Sequence, residues 1–468
     1  MPDKINPADK QIKRVFDFRQ RIFDSIAAKR QGALWLDCGL ADVRKAVVIN
    51  SASRSGSSLL YAVLKRSSRL YSLAGEAVPF YKLNGFSSDL SLSDRVVHAA
   101  GRISERKAGL SRDILSDLSL GAPPGDIFID KRLLDEYIDD LALRFPLQWP
   151  QINFSYGIFR ECASRAFRRY SASNAVFNKE RFYLELIRCL RRKYPLINPY
   201  YYDIRQETVR RAFPGMPLPQ GPPNEPVLIE EPPFILLSPR TKPAKIDLKD
   251  NTLFLKSTVD CYNMPFLRKL LPNADIKIIY LTRNPFGSVN GLYDGWLFRG
   301  FFSRNLKKLC SSARAKVKEL NIRGYSDKYE WGKWWWKYDL PEGWQDYAGK
   351  PLEEVCAFQW YSANKAIQDH IKGSGKINSL RVKYENIISG KGRRLTEVKK
   401  IFDFIGLDKK GVGELELDEL PVIQATKDPK PYRWKARERL LTPLLKDQRI
   451  CRMARSLGYD IRNTKEWF

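Results

Sequence analysis

Residues 45–67 read KAVVINSASRSGSSLLYAVLKRS. The first six, Lys45 to Asn50, form a short β-branched run, and LLYAVLKRS carries the apolar spacing of a helix. Between them lies a serine-rich loop. Strand, tight loop and helix in this order build a cradle for an anion. Gly56 permits the turn, successive backbone N–H groups converge, and the N-terminus of the following helix adds the positive end of its dipole. Against the nucleotide-loop pattern GxxxxGK[ST], Ser51 stands in place of the first glycine and Ser57 in place of the lysine. Arg54 supplies positive charge from inside the loop instead. A nucleoside triphosphate would be held weakly without that lysine. Taken alone, SRSGSS also reads as an ordinary loop; its place between strand and helix favours the anion site.

A second strand-to-helix junction lies at 280–289, YLTRNPFGSV. Arg283 at its centre can clamp a phosphate bidentately. An arginine after a strand is usually structural. Paired with the first loop it becomes a second phosphate grip at the carboxyl edge of one sheet, where open α/β sheets bind ligands. Further strand signals are RLYSLAGE, which ends at Glu76, NTLFLKS at 251–257, DIKIIYLT at 275–282 and INSLRVKYE at 377–385. Helical patterns follow from about 286, at 352–372, 394–405 and 434–457. Short apolar strands alternating with helices predict an α/β fold, a P-loop NTPase-like parallel sheet flanked by helices.

Residues 88–250 break this alternation. Helical patterns at 93–118, 131–145, 158–170 and 179–194 precede a proline-rich connector at 214–243. We read 88–250 as a largely helical insertion, and 41–87 with 251–468 as the domain that contains it. Residues 1–40 form a basic N-terminal extension. Its stretch 9–31, with Ile12, Val15, Phe16, Ile22, Phe23 and Ile26, predicts an amphipathic helix, packed on the domain or laid on a membrane surface.

Composition narrows the function classes. Of 468 residues, 43% are hydrophobic, which suits a packed soluble protein. Lys and Arg total 81 against 53 Asp and Glu, a formal charge of +28 that favours anionic partners without choosing among them. The seven cysteines form no CxxC pair, and only His98 and His370 offer imidazoles, so no metal site is expected. The N-terminus lacks a signal-peptide pattern and no apolar run reaches a bilayer span, so a cytoplasmic protein, soluble or peripherally membrane-associated, is expected.

With both phosphate motifs in view, the sequence resembles the family of sulfotransferases that use 3'-phosphoadenosine 5'-phosphosulfate (PAPS), especially its carbohydrate and bacterial branches. SRSGSSLL is similar to the family's 5'-phosphosulfate loop and YLTRNPFGSV to its 3'-phosphate motif. FLKS at 254–257, RVKYENI at 381–387, PYRWKARERL at 431–440 and LGY at 457–459 follow in the family's order, and LPEGW at 340–344 and QWYSANKAI at 359–367 look familiar. The resemblance covers roughly 41–80 and 250–460, not the insertion. It implies that Arg54, Ser55, Gly56, Ser57 and Ser58 hold the 5'-phosphosulfate and Arg283 the 3'-phosphate. Tyr384, Arg433, Trp434 and Lys435 would lie near the nucleotide, with Trp434 also readable as core. It implies PAPS as co-substrate, PAP as product, no metal, and a hydroxyl acceptor on a carbohydrate, glycolipid or specialised metabolite. One departure is plain: the family's serine eight residues after the arginine is Gly291 here, and Ser288 is the nearest substitute.

Sulfuryl transfer needs cations at the leaving phosphate and a base at the acceptor hydroxyl. Arg54 and Lys256 are the candidate cations. The resemblance places a catalytic Glu in the AGEAVP stretch at 74–79, hence Glu76; a solvated turn carboxylate is the plain alternative. His98 is the alternative base, read more simply as a helix-packing residue. The string YEWGKWWWKY at 329–338 offers stacking surface for sugars, a lipid cleft or membrane, or a lid packed on the core. Two competing classes remain: a P-loop kinase, which lacks its loop lysine here, and a nucleic-acid-binding protein, for which no motif or basic tract is present.

Overall fold

The computed structural model describes residues 7–30, 33–87, 93–95, 103–121, 131–171, 177–224, 227–243, 247–307, 318–373 and 378–467. Its strands are β1 (Lys45–Asn50), β2 (Leu70–Ser72), β3 (Ser119–Leu120), β4 (Thr252–Lys256), β5 (Asp275–Thr282), β6 (Arg304–Asn305), β7 (Trp335–Trp336) and β8 (Ser379–Lys383). Six of them form one sheet in the order β3-β2-β4-β1-β5-β8. All its neighbours pair in parallel except β3, which runs antiparallel on the edge. β6 and β7 make a separate two-stranded ribbon. This is the predicted α/β class, a mostly parallel sheet with helices against it.

Strand β1 is central because it is apolar on both faces. Ala46 and Val48 point into one core with Leu253, Leu255 and Ile278, whereas Val47 and Ile49 point into another with Phe254, Ile279 and Val382. Each fully buried Val, Leu or Ile contributes roughly 1.5–3 kcal/mol, so a strand of this kind is driven to the sheet centre. Register follows: Ile49 lies opposite both Lys256 and Ile279. The carboxyl ends of β1 and β4 are therefore nearly level, β5 runs two residues further, and the residues that follow all three lie at one edge.

Residues 88–250 enter the chain between β2 and β4 and contribute the helices Ile103–Asp117, Lys131–Gln148, Tyr156–Ser171, Lys179–Leu190 and Gln206–Ala212. They do not stand apart. Leu110, Ile114 and Leu115 pack into the same core as Ala46 and Val48, and β3 extends the main sheet. The N-terminal helix Pro7–Lys29 buries Phe18, Ile22, Phe23 and Ile26 among Tyr137, Ile138 and Leu141, so its apolar face is covered by the insertion. Among the described residues no helix is long and apolar enough to cross a membrane.

One expected helix breaks up. The 434–457 stretch is the 3₁₀ turn Arg433–Arg437, the short helix Glu438–Leu441, a second 3₁₀ turn Thr442–Lys446 and the helix Gln448–Ser456. Pro443 lacks the N–H that would continue the ladder, and Asp447 caps a fresh helix by accepting from Arg449 N.

A buried ionic network ties the elements of residues 88–250 to one another. Arg144 Nε donates to Glu230 at 2.7 Å, Arg240 contacts Asp117 at 3.2 Å and Asp140 at 3.5 Å, and Lys242 meets Asp140 at 2.7 Å. Burial pushes Glu230 above the usual carboxylate range despite the arginine beside it. Burial alone would raise Asp117 as well, but Arg240, Arg144 and Lys242 outweigh it and hold that carboxyl low. Removing one member of a buried pair strands its partner, at about 3–5 kcal/mol. Arg144→Met is therefore expected to destabilise the fold by that amount in urea denaturation, and the double variant Arg144→Met/Glu230→Gln to recover most of it.

Candidate active site

The loop after β1 carries two left-handed residues, Arg54 at φ 63° and Gly56 at φ 95°. Gly56 is the N-cap of the helix Ser57–Leu64. A Cβ on Gly56 would stand 2.1 Å from the Tyr384 ring, so glycine is required both by conformation and by that close approach. Tyr384, the first residue after β8, thus roofs the loop.

Arg283 follows the last residue of β5. Its Nη1 donates to the Arg54 carbonyl at 3.0 Å, and its guanidinium lies 4.5 Å from the centre of the Tyr384 ring. Burial lowers its pKa, opposed by Tyr384 and Glu385, and its Nε is buried without a hydrogen-bond partner. The helix Pro285–Trp296 starts just beyond, capped by Asn284, whose side chain accepts from Gly287 N at 2.6 Å. Ser288 is fully buried in its first turn, with Oγ 3.3 Å from Ser55 Oγ. Gly291 lies against the loop: a Cβ there would be 3.2 Å from Arg54 Cβ. A side chain at this position would press against Arg54, which would have to give by a few tenths of an ångström, and Ser288 is the serine on this helix that reaches the loop.

On the other side of the loop helix, Lys256 at the end of β4 bridges two partners. Its Nζ donates to Ser58 Oγ at 3.1 Å and forms an ion pair with Glu76 Oε1. Glu76 Oε2 accepts from the backbone N–H and the hydroxyl of Thr258 at 3.2 and 3.3 Å. The segment carrying Glu76 is held by Ala74 N, which donates to Asp117 Oδ2 at 2.9 Å. Lys65 Nζ reaches the Ala74 carbonyl at 3.4 Å, and burial, with repulsion from Lys179 and Arg240, lowers that amine to about 7. Ser55, Gly56, Ser57, Ser58, Arg54, Arg283, Ser288, Tyr384, Lys256 and Glu76 therefore gather at one edge of the sheet.

The remaining predicted residues stand further out. Trp434 is buried, 5.2 Å from the Phe286 ring, with Nε1 donating to the Trp467 carbonyl at 2.7 Å; it belongs to the core. Arg433 and Arg437 both bind Asp294, at 2.5 and 2.7 Å. Lys435 is exposed and lies 4.4 Å from the Tyr432 ring centre. His98 falls outside the described residues. In the tryptophan-rich string, Trp335 and Trp336 are buried, and Trp336 stands edge-on to Trp296 and Trp344. That part of the string packs a lid on the core.

Several residues of the site carry no sequence signal. Gln424, far along the chain, accepts from Arg54 Nη1 and Ser58 Oγ. Asp260 is wholly buried near Glu76; burial and the Glu76 charge keep its carboxyl well above the usual range. Asp339 donates nothing but accepts from Tyr262 Oη at 2.6 Å, and Ser53 lies beside it without a hydrogen bond of good geometry. None of these sits in a string that resembles a phosphate motif.

No family model matches this chain, and no curated protein matches it. Two solved structures align with it along most of its length. A sulfotransferase domain from the curacin biosynthetic pathway shares 11% identity over 89% of this chain and 99% of that domain, with a TM-score of 0.34. A sulfotransferase domain from the Synechococcus PCC 7002 olefin synthase shares 14% identity over 92% of this chain and 100% of that domain, also with a TM-score of 0.34. At that score the superposition is loose.

Asp339 gives the site a pH signature. Burial pushes its carboxyl up and Asp94 adds to the shift, while the hydrogen bond from Tyr262 pulls it back, leaving it at about 7. An unfolded aspartate releases its proton near about 4. Between those values the folded chain binds more protons than the unfolded one. Stability from this group is then greatest at low pH and is lost as pH rises to about 7, with a slope of at most about 1.4 kcal/mol per pH unit. Asp339→Asn is expected to flatten that slope in urea midpoints measured from pH 4.5 to 8; an unchanged slope would assign it to another group.

Proposed function

We propose that this chain is a sulfotransferase that moves the sulfuryl group of PAPS to an acceptor hydroxyl. The observation that carries the reading is the convergence of the Arg54 loop, Arg283 and the Lys256–Glu76 pair on one sheet edge. Two anion grips at different strand ends suit a nucleotide with phosphates on both its 5' and 3' positions. A ligand phosphate would give the buried Arg283 Nε the partner it lacks. The loop's N–H groups, the helix N-terminus and Arg54 suit the 5'-phosphosulfate.

The residues around Lys256 suit the chemistry. The acceptor oxygen attacks sulfur, the bond from sulfur to the bridging phosphate oxygen breaks, and the hydroxyl proton goes to Glu76. Lys256 stands between Glu76 and Ser58. As Glu76 takes the proton it ceases to be an anion, and the Lys256 charge turns toward the phosphate, where negative charge is building. One cation thereby couples deprotonation to departure of the leaving group. Asp117, through Ala74, holds the Glu76 segment for this role. A metal ion has no assigned part, and turnover is expected to persist in excess EDTA. For the acceptor we favour a carbohydrate or glycolipid hydroxyl, with a specialised metabolite second.

Three measurements test the reading. PAP should raise the melting temperature of the full chain more than AMP at equal concentration, and Arg283→Ala should erase the difference while leaving the AMP shift in place. Equal shifts for both nucleotides in the native chain would remove the case for a 3'-phosphate grip. Glu76→Gln should lower turnover with PAPS by about 10²–10⁴ while PAP binding holds. Should Glu76→Gln keep native turnover, the base lies elsewhere.

A further inference from the structure

Two of the side-chain donors that the proposed site offers to a phosphosulfate, those of Arg54 and Ser58, are already engaged by the chain itself. Arg54 Nη1 donates to the Gln424 carbonyl at 2.8 Å and Nη2 reaches Thr426 Oγ1 at 3.4 Å. Ser58 Oγ donates to Gln424 Oε1 at 3.0 Å. Two oxygens of one residue therefore occupy an arginine and a serine on either side of the loop's turn, as oxygens of a bound anion would. Gln424 is held there from the insertion: its own N–H donates to Asp203 Oδ2 at 3.1 Å.

The segment that carries Gln424 is built to move. Residues 421–430 hold no helix or strand and are largely exposed, and Val422 is 52% exposed. Few apolar contacts hold it, so local opening is cheap. Gln424 itself adopts φ 47°, and Glu416 and Tyr432, on either side of the segment, adopt φ 42° and 55°. These are strained positions for residues other than glycine, one within the segment and two in the chain that flanks it. Arg54, the partner across the gap, is left-handed as well.

We propose that residues 421–430 are an internal competitor for the donor site, a strap whose Gln424 fills the loop's donors until nucleotide displaces it, with Asp203 of the helical insertion as its latch. This rests on the reading of the loop as the donor site. A strap that closed over bound nucleotide to complete its site would show the opposite sign in binding, so the two arrangements separate cleanly. Loosening a competitor strengthens binding, because apparent affinity scales with the fraction of molecules whose site is open.

The test is a calorimetric titration of PAP into the full chain, Gln424→Ala and Asp203→Ala, with melting temperatures to confirm folding. Both variants are expected to bind PAP about threefold to tenfold more tightly, as for a site plugged most of the time. Hydrogen exchange supplies a second reading. The Gln424 amide should be protected in the free native chain, and should exchange faster both in Asp203→Ala and on addition of PAP. Weaker PAP binding by Gln424→Ala would make that residue a ligand and overturn the competitor. Unchanged affinity in both variants, or a Gln424 amide that exchanges freely in the native chain, would overturn it too. Failure of the native chain to bind PAP would remove the donor-site reading itself and the strap with it, whereas native binding with indifferent variants removes only the strap.

Discussion

Lys256 sets the arrangement of everything around the site. Its side chain is 4% exposed at the end of a central strand, where an unpaired ammonium would be costly. The nearly level ends of β1 and β4 put it beside the loop helix, and Ser58 gives it one acceptor. A hydroxyl does not neutralise charge, so a carboxylate has to come from elsewhere. It comes from the segment after β2, as Glu76, on which the backbone N–H and hydroxyl of Thr258 also converge.

That requirement gives the insertion a task in the core of the molecule. The segment Leu73–Glu76 has no strand partner of its own beyond β2. Asp117, at the end of an insertion helix, accepts from Ala74 N, and Arg240 and Arg144 keep Asp117 charged. Gly75 lies tight against Ile235 and Arg144, with 2.9 and 3.3 Å to a Cβ built there. The buried ionic network of the insertion thus ends on the residue next to Glu76. Because buried charges tolerate little displacement once paired, the network fixes the position of that carboxylate as well as joining two parts of the fold.

How much of this was legible in the sequence follows from what kind of contact is involved. β1, β4 and β5 were readable because each is built on a short apolar run, which drives itself into a parallel sheet, and β8 because Leu380 and Val382 alternate with polar residues. The proximity of the loop and Arg283 was readable because residues that directly follow adjacent parallel strands share one edge of the sheet. Gln424, Asp203 and Asp117 were not, since each meets the site through one or two polar contacts made across the fold. Asp203 and Gln424 lie 221 residues apart, and no periodicity marks such a pair. The tryptophan string left its alternatives open for a related reason. A run of Trp carries no sign of which faces will be covered, and the ribbon of β6 and β7 turned Trp335 and Trp336 inward.

Arg54 and Gly291 are best understood as one feature. Arg54 is left-handed, and its Cβ lies where a side chain on the second turn of the Arg283 helix would point. A serine at position 291 would press a Cβ to 3.2 Å from it, inside ordinary contact distance, while the Arg54 carbonyl is already fixed by Arg283. A side chain there would therefore bear on the contact between Arg54 and Arg283. Gly291 thus faces an arginine placed inside the loop, in a loop that has Ser57 where a nucleotide loop keeps its lysine. Positive charge has moved from the helix start to the turn, glycine has followed on the facing helix, and Ser288 meets Ser55 one turn earlier. Departures of this kind from local preference, strained backbone at Arg54 and a glycine packed against it at position 291, concentrate at functional sites, and here both fall in the loop and on the helix that faces it.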